Sequence, residues 1–166
     1  MDRNEEKLYE IFREMEITDY TVTEHEAIMS IEEADQFGLV MEGLNVKNLF
    51  IKEKKTDRYF MVILDDHRHA DLKHFKELAG WKQNRFANGE ELEAVLGILP
   101  GAVTPLALFN DTNHQVTVVL GKEIGEADAT EKISFHPCRN TATLTMRKGD
   151  FLKFLEKMGN YLIVEK

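Results

Sequence analysis

Five places in this chain carry residues whose types and spacing could do chemistry, and each would do a different kind. Cys138 is the single cysteine. It could act as a nucleophile, but nothing recognisable accompanies it, and a lone cysteine of this sort reads first as packing. The segment Asp65-Asp66-His67-Arg68-His69-Ala70-Asp71, with His74 just beyond, holds the residue types of a metal site. Alternate side chains of an extended chain share a side, so His67 and His69 would face one way, with Asp71 as third ligand for metal-assisted hydrolysis. Against this, Asp71 also reads as a helix cap at the surface end of a strand.

The other three places set polar groups and special backbone among apolar residues. Lys47-Asn48 opens a strand that continues Leu49-Phe50-Ile51. Gly101-Ala102-Val103-Thr104-Pro105 is a shaped loop, and with Pro100 it holds two of the three prolines. Ser134-Phe135-His136-Pro137-Cys138-Arg139-Asn140-Thr141 stops a strand at a histidine whose successor cannot continue the ladder. Taken singly, these read as a solvated strand end, a turn and an edge histidine. There is no Walker loop, dinucleotide glycine fingerprint, Gly-x-Ser-x-Gly elbow or Cys-x-x-Cys pair, which excludes the commonest nucleotide, acyl-serine and redox chemistries.

The elements that must position these groups follow from periodicity and capping. Leu8, Ile11, Phe12 and Met15 recur at helical spacing, predicting an opening helix over residues 5–15. Residues 20–25 alternate as a strand, and Ser30 with Glu33 forms a capping box for a short helix to about Phe37, stopped by Gly38. Residues 46–52 and 58–64 read as a hairpin around a polar turn. Asp71 and Asn88 cap two helices that end at Gly80 and Gly97, with residues 81–87 left between them. Strands are predicted over 116–120, 132–135, 141–146 and 161–164, and a helix over 150–158. Strands interleave irregularly with helices, so the expected fold class is α+β, one domain over residues 1–166 on a mixed sheet.

Composition bounds the answer. The chain has 166 residues, 43% hydrophobic and 31% charged, enough for one core without a metal or disulfide staple. One cysteine forbids an internal disulfide, the opening Met-Asp-Arg-Asn-Glu-Glu lacks the apolar run of a signal peptide, and no stretch is long enough to span a bilayer; a cytoplasmic location is expected. The net charge of −9 argues against wrapping nucleic acid. Its distribution does not exclude meeting the end of one. Residues 1–46 carry thirteen acidic and three basic side chains, whereas residues 47–85 carry ten basic and six acidic.

The ordered set Lys47-Asn48-Leu49-Phe50, the Gly-x-x-x-Pro loop from Gly101 to Pro105, and His136-Pro137 followed by Asn140-Thr141 resembles the YbaK/prolyl-tRNA synthetase-associated editing domain family. The match covers most of the chain, and within the family it is nearest to the free-standing alanyl-tRNA(Pro) deacylases of the ProX or PrdX type. The resemblance implies a mixed, barrel-like sheet with surrounding helices. It also implies a trans-editing hydrolase that releases alanine from mischarged alanyl-tRNA(Pro) without metal or other cofactor. Lys47, Gly101 and His136 are the implied catalytic residues, and Asn48, Ala102, Val103, Thr104, Pro105 and Asn140 the implied substrate contacts. In this family the substrate's ribose 2′-hydroxyl assists, so His136 is not an obligatory base. The implied partner is the aminoacylated 3′ end of tRNA(Pro), met by a patch of Lys47, Lys52, Lys54, Lys55, Arg58, Lys73 and Lys76, with prolyl-tRNA synthetase or an elongation factor as transient partners. Rival readings are a cysteinyl-tRNA(Pro) deacylase of the same superfamily, a non-catalytic binder of aminoacyl-tRNA or a synthetase, and a metal-dependent hydrolase built on His67 and His69.

Overall fold

The run Tyr59-Phe60-Met61-Val62-Ile63-Leu64 is apolar at every position, so a strand formed from it must be covered on both faces. In the computed structural model, which describes residues 2–27 and 41–166, it is an interior strand of the sheet, paired on both edges. The helix expected from Ser30 lies outside the described residues. β1 (Tyr20–Glu24) is one end of the sheet, and β2 (Leu44–Glu53) and β3 (Tyr59–Asp65) form the expected antiparallel hairpin, in register from Val46 opposite Asp65 to Lys52 opposite Tyr59. β5 (Val116–Leu120) and β8 (Leu162–Val164) add in parallel beyond β3. β6 (Lys132–Phe135) and β7 (Ala142–Arg147) connect β2 to β1, giving the order β1-β7-β6-β2-β3-β5-β8, with β4 (Asn84–Phe86) also paired to β2. Parallel and antiparallel ladders are thus mixed in one sheet, as the α+β reading requires.

Two apolar clusters flank β3. Tyr59, Met61 and Ile63 join the larger, with Phe50, Val118, Leu120, Ile133, Phe135, Leu144 and Met146; Phe60, Val62 and Leu64 join the smaller, with Ile51, Phe75, Trp81 and Val119. Side chains from β6–β7 and from β3–β5 share the larger cluster, so the sheet curls around it like an incomplete barrel. Helices complete the enclosure. α1 (Arg3–Glu14) contributes Leu8, Ile11 and Phe12, and α5 (Lys148–Met158) contributes Phe151, Phe154 and Leu155. Burying a side chain of this size contributes roughly 1.5–3 kcal/mol.

α2 (Leu72–Ala79) begins where Asp71 accepts a hydrogen bond from the His74 N–H (3.2 Å) and stops at Gly80, whose φ of +82° suits glycine. α3 (Gly89–Leu96) opens on a capping box formed by Asn88 and Glu91. Three elements carry too little signal to be read from sequence. β4 is three residues paired with the last three residues of β2. A 3-10 helix over Pro105–Asn110 is apolar without periodicity, and α4 (Lys122–Gly125) is a single turn. Among the described residues, no helix is long and apolar enough to cross a membrane.

Candidate active site

β4 and β6 approach the same edge of β2 from opposite ends. Among the described residues β6 pairs with Leu44 and Asn45, β4 with residues 51–53, and residues 46–50 fall outside either ladder. At the β4 end the opening is closed by a hydrogen bond from the Ala87 N–H to the Phe50 carbonyl (2.9 Å). Lys47 and Asn48 lie in this opening. Being consecutive on a strand they face opposite sides of the sheet: Asn48 lies opposite Ile63 on the side of the larger cluster, Lys47 opposite Leu64 on the other. The adjacency of the two residues in sequence is therefore not adjacency of their side chains.

Asn48 holds the 101–105 loop. Its Nδ2 donates to the Val103 carbonyl (3.2 Å), which fixes the amide orientation, because a carbonyl only accepts. Its Oδ1 is buried with no partner among the described residues. Gly101 adopts φ +92°, a conformation that L side chains rarely take, so glycine is required by the backbone itself. Within the loop the Ala102 N–H donates to the Leu99 carbonyl (3.1 Å), while no bond to a described residue engages the N–H of Gly101 or Val103. Thr104 and Pro105, expected from the sequence as substrate contacts, are both buried. Thr104 is fully buried and its hydroxyl accepts from the Leu106 N–H (3.2 Å) to open the 3-10 helix, and Pro105 is buried as that helix's first residue. Both shape the loop from inside, and Ala102 is likewise buried, leaving Gly101 and Val103 at its half-exposed surface.

His136 follows β6 directly. The parallel register, Leu44 with Ile133 and Asn45 with Ser134, carries it to the level of Lys47 as β6 ends. Its Nδ1 donates to the Ala142 carbonyl (3.0 Å), so in the neutral ring Nε2 keeps its lone pair. Burial lowers the pKa of His136, and the neighbouring His25 lowers it further, with the Ala142 hydrogen bond opposing. The ring faces His25 at 6.4 Å between centroids. His25, which sequence reasoning did not single out, bonds Thr143 Oγ1 through Nε2 (2.8 Å) and the Glu26 carbonyl through Nδ1 (2.7 Å). Its only sequence signal is its place in the alternation just past β1. Ser134 and Thr145 bond each other on the same polar side of β6 and β7 (2.8 Å). Asn140 is a half-buried residue of the turn into β7.

The remaining candidates resolve differently. Cys138 is buried, and burial together with Asp2 and Glu5 pushes its thiol up to about 12, which leaves it no thiolate at neutral pH. His67 and His69 do not join with Asp71 in a ligand set. Among the described residues the group able to converge on an ion is Asp65, Asp66 and His67, with His67 Nδ1 already 2.7 Å from Asp66. Asp71 is a helix cap, and Arg68, in the middle of the segment, binds Glu123 and Glu165. Of the basic patch, Lys52 donates to the Thr56 carbonyl and lies over Tyr59, and Arg58 pairs with Glu53 (3.5 Å) and lies over Phe60, whereas Lys54, Lys55, Lys73 and Lys76 are exposed.

Comparison with known proteins gives this geometry its class. The model of the aminoacyl-tRNA editing domain matches residues 25–154. The prolyl-tRNA editing protein ProX of Acetoanaerobium sticklandii is 30% identical over 141 residues, 85% of this chain and 84% of that protein. A prolyl-tRNA synthetase associated domain-containing protein 1 of Danio rerio is 36% identical, covering 82% of this chain and 73% of its own length. A solved structure described as a candidate trans-editing enzyme for prolyl tRNA synthetase superposes with a TM-score of 0.71 at 17% identity, over 99% of this chain and 97% of that one. The chain belongs to the aminoacyl-tRNA editing domain family and is a hydrolase of the aminoacyl-tRNA deacylase class.

Proposed function

We propose that residues 1–166 act as one editing domain that works in trans, hydrolysing the ester of mischarged alanyl-tRNA(Pro) and releasing alanine and free tRNA. A synthetase pocket built for proline excludes a smaller side chain by only about 1–3 kcal/mol, so a second pocket that admits alanine and rejects proline by size is the physical remedy. The names of the relatives point to proline tRNA, and the size argument points to alanine.

An aminoacyl ester is already activated, and its hydrolysis calls for an aligned water and donors aimed at the developing oxyanion rather than for a protein nucleophile. The inert Cys138 accords with that. Water oxygen adds to the ester carbonyl, the oxyanion takes hydrogen bonds from the N–H groups of Gly101 and Val103, and collapse expels the ribose 3′-oxygen, which takes up a proton. His136 Nε2 accepts a hydrogen bond from the water or the adjoining 2′-hydroxyl, and Lys47 meets the terminal phosphate as a point charge. Only the 3′ end of the tRNA need enter, which reconciles the reaction with a net charge of −9.

The observation that carries this reading is the Asn48–Val103 hydrogen bond, which ties the Gly101 loop to the stretch of β2 beside which His136 emerges. Deacylation of alanyl-, cysteinyl- and prolyl-tRNA(Pro), with and without EDTA, tests it. Alanine is expected to leave far faster than proline, with EDTA making no difference. Faster release of cysteine would reassign the substrate, binding without hydrolysis would make the chain a binder, and loss of activity in EDTA restored by zinc would overturn the mechanism.

A further inference from the structure

We propose that Arg139 is a positioning residue for this site, acting through a clamp with Glu5 and Glu24 that fixes where His136 stands. The inference rests on His136 touching the substrate. It arises from residues that neither the family motif nor the comparisons distinguish.

A guanidinium has five N–H donors in a rigid fork, and at Arg139 all five are engaged. Nε donates to Glu5 Oε1 (2.7 Å), one terminal nitrogen to Glu24 Oε2 (2.8 Å) and Thr141 Oγ1 (2.9 Å), and the other to Glu24 Oε1 (2.6 Å) and Glu5 Oε2 (3.1 Å). Glu5 is buried in the first turn of α1 and also accepts from the Tyr9 hydroxyl (2.7 Å). Glu24 ends β1 and is exposed. One side chain therefore joins the start of α1, the end of β1 and the loop between β6 and β7.

That loop needs an anchor. It runs from His136 to Thr141 through Cys138 at φ +66°, a left-handed conformation costly for a residue with a Cβ. Its far end is fixed by the His25 N–H bonding the Thr141 carbonyl (3.0 Å), and its near end by His136 Nδ1 on the Ala142 carbonyl. Between these, the Arg139 side chain ties the strained middle to α1 and β1. Glu24 and His25 are consecutive on the β1 strand line, so the clamp lies on one side of this sheet corner and the His25–His136 pair on the other. Loosening the clamp moves the loop that carries His136, and a displacement near 1 Å at a reacting group can cost about 100-fold in rate.

The test uses Glu24→Ala, which removes the exposed partner and leaves the Glu5 pair in place, and Arg139→Lys, which keeps the charge but offers three donors for five acceptors. The readouts are kcat and KM for alanyl-tRNA(Pro) and, independently of activity, the pH titration of the His136 ring protons by NMR. Glu24→Ala is expected to lower kcat about tenfold with KM nearly unchanged, and to move the His136 midpoint up toward an ordinary imidazole as the ring is less buried. Arg139→Lys should exceed it in both. Glu24→Gln, which keeps an acceptor oxygen, should restore part of each change. A folded Glu24→Ala protein whose kcat and His136 titration match the parent overturns the proposal, as does a loss of thermal stability without either change. If the parent protein hydrolyses no aminoacyl-tRNA, the proposed function fails, and the titration still decides whether the clamp positions His136.

Discussion

Two histidine-bearing segments, 65–74 and 134–141, reach β2 at the same residue from opposite edges. The Asp66 N–H donates to the Asn45 carbonyl (2.9 Å), and Ser134 pairs with Asn45 through β6. In the first segment nitrogen donors are matched with carboxylates: His67 with Asp66 (2.7 Å), His74 with Glu165 (2.6 Å), and Arg68 with both Glu165 (2.7 Å) and Glu123 (3.1 Å). The Arg68 guanidinium holds the Glu165 carboxyl down at about 2, with help from the Lys122 N–H and His74. In the second, His136 has a carbonyl on one nitrogen, burial against its charged form, and a second nitrogen with no described partner. Paired ionic groups hold parts of the chain together. A half-buried ring with one uncommitted lone pair is equipped to act on something that arrives.

The sharpest way to break this contrast is to remove a ring from each segment. His136→Ala is expected to lower kcat/KM for alanyl-tRNA(Pro) about 100-fold and, by enlarging the pocket, to raise relative activity on prolyl-tRNA(Pro). His67→Ala and His69→Ala should remain within about twofold of the parent in the same assay. Equal losses from His136→Ala and His67→Ala would dissolve the distinction and return the Asp65–Asp66–His67 group to the mechanism.

Next in size is Lys47→Ala, expected to lower kcat/KM about tenfold without altering thermal stability, because Lys47 is half-buried at an open strand edge. An unchanged rate at subsaturating substrate would make it a solvated strand end. Gly101→Val should depress every aminoacyl ester together, with no gain on proline, and cost about 1–2 kcal/mol because a β-branched residue is placed at φ +92°. A shift of the alanyl-to-prolyl ratio toward proline in this variant would assign the loop to side-chain selection instead.

pH separates the two segments without mutation. The folded-state pKa of His136 lies below its ordinary 6.5, so its contribution to stability is full above 6.5 and is lost as pH falls from there toward the folded value. Glu165, lowered from 4.5 to about 2, contributes fully above 4.5 and loses that contribution between 4.5 and about 2. Thermal unfolding across pH should therefore decline in two windows, the higher abolished by His136→Gln and the lower reduced by Glu165→Gln, the rest of it coming from Glu91, which Arg85 also holds down at about 2. Deacylation should follow the higher window alone, rising with pH as the His136 ring loses its proton. The smallest expected effect is that of Cys138→Ala, within about twofold in rate, since a buried thiol pushed up to about 12 supplies no nucleophile.

Local order was legible in the chain wherever a short-range rule decides it. The caps at Asp71 and Asn88, the stop at Gly80, the 46–64 hairpin and the alternation of residues 142–146 follow from backbone sterics and from apolar period, which act over a few residues. The three segments of the site could be picked out by their polar residues and irregular backbone, and grouped by resemblance. Their arrangement could not. Lys47 and Asn48 are neighbours in sequence and on opposite faces in space because a strand alternates, and Thr104, polar in the list of residues, is fully buried because its hydroxyl caps a helix that has no periodic signature. The opening in β2 exists because two strands distant in sequence, β4 and β6, share one edge without meeting, and the five-bond arrest of Arg139 requires carboxylates 134 and 115 residues away. Residue types and local spacing determined which groups could do chemistry; long-range strand pairing, which no local rule encodes, decided which of them face the same space.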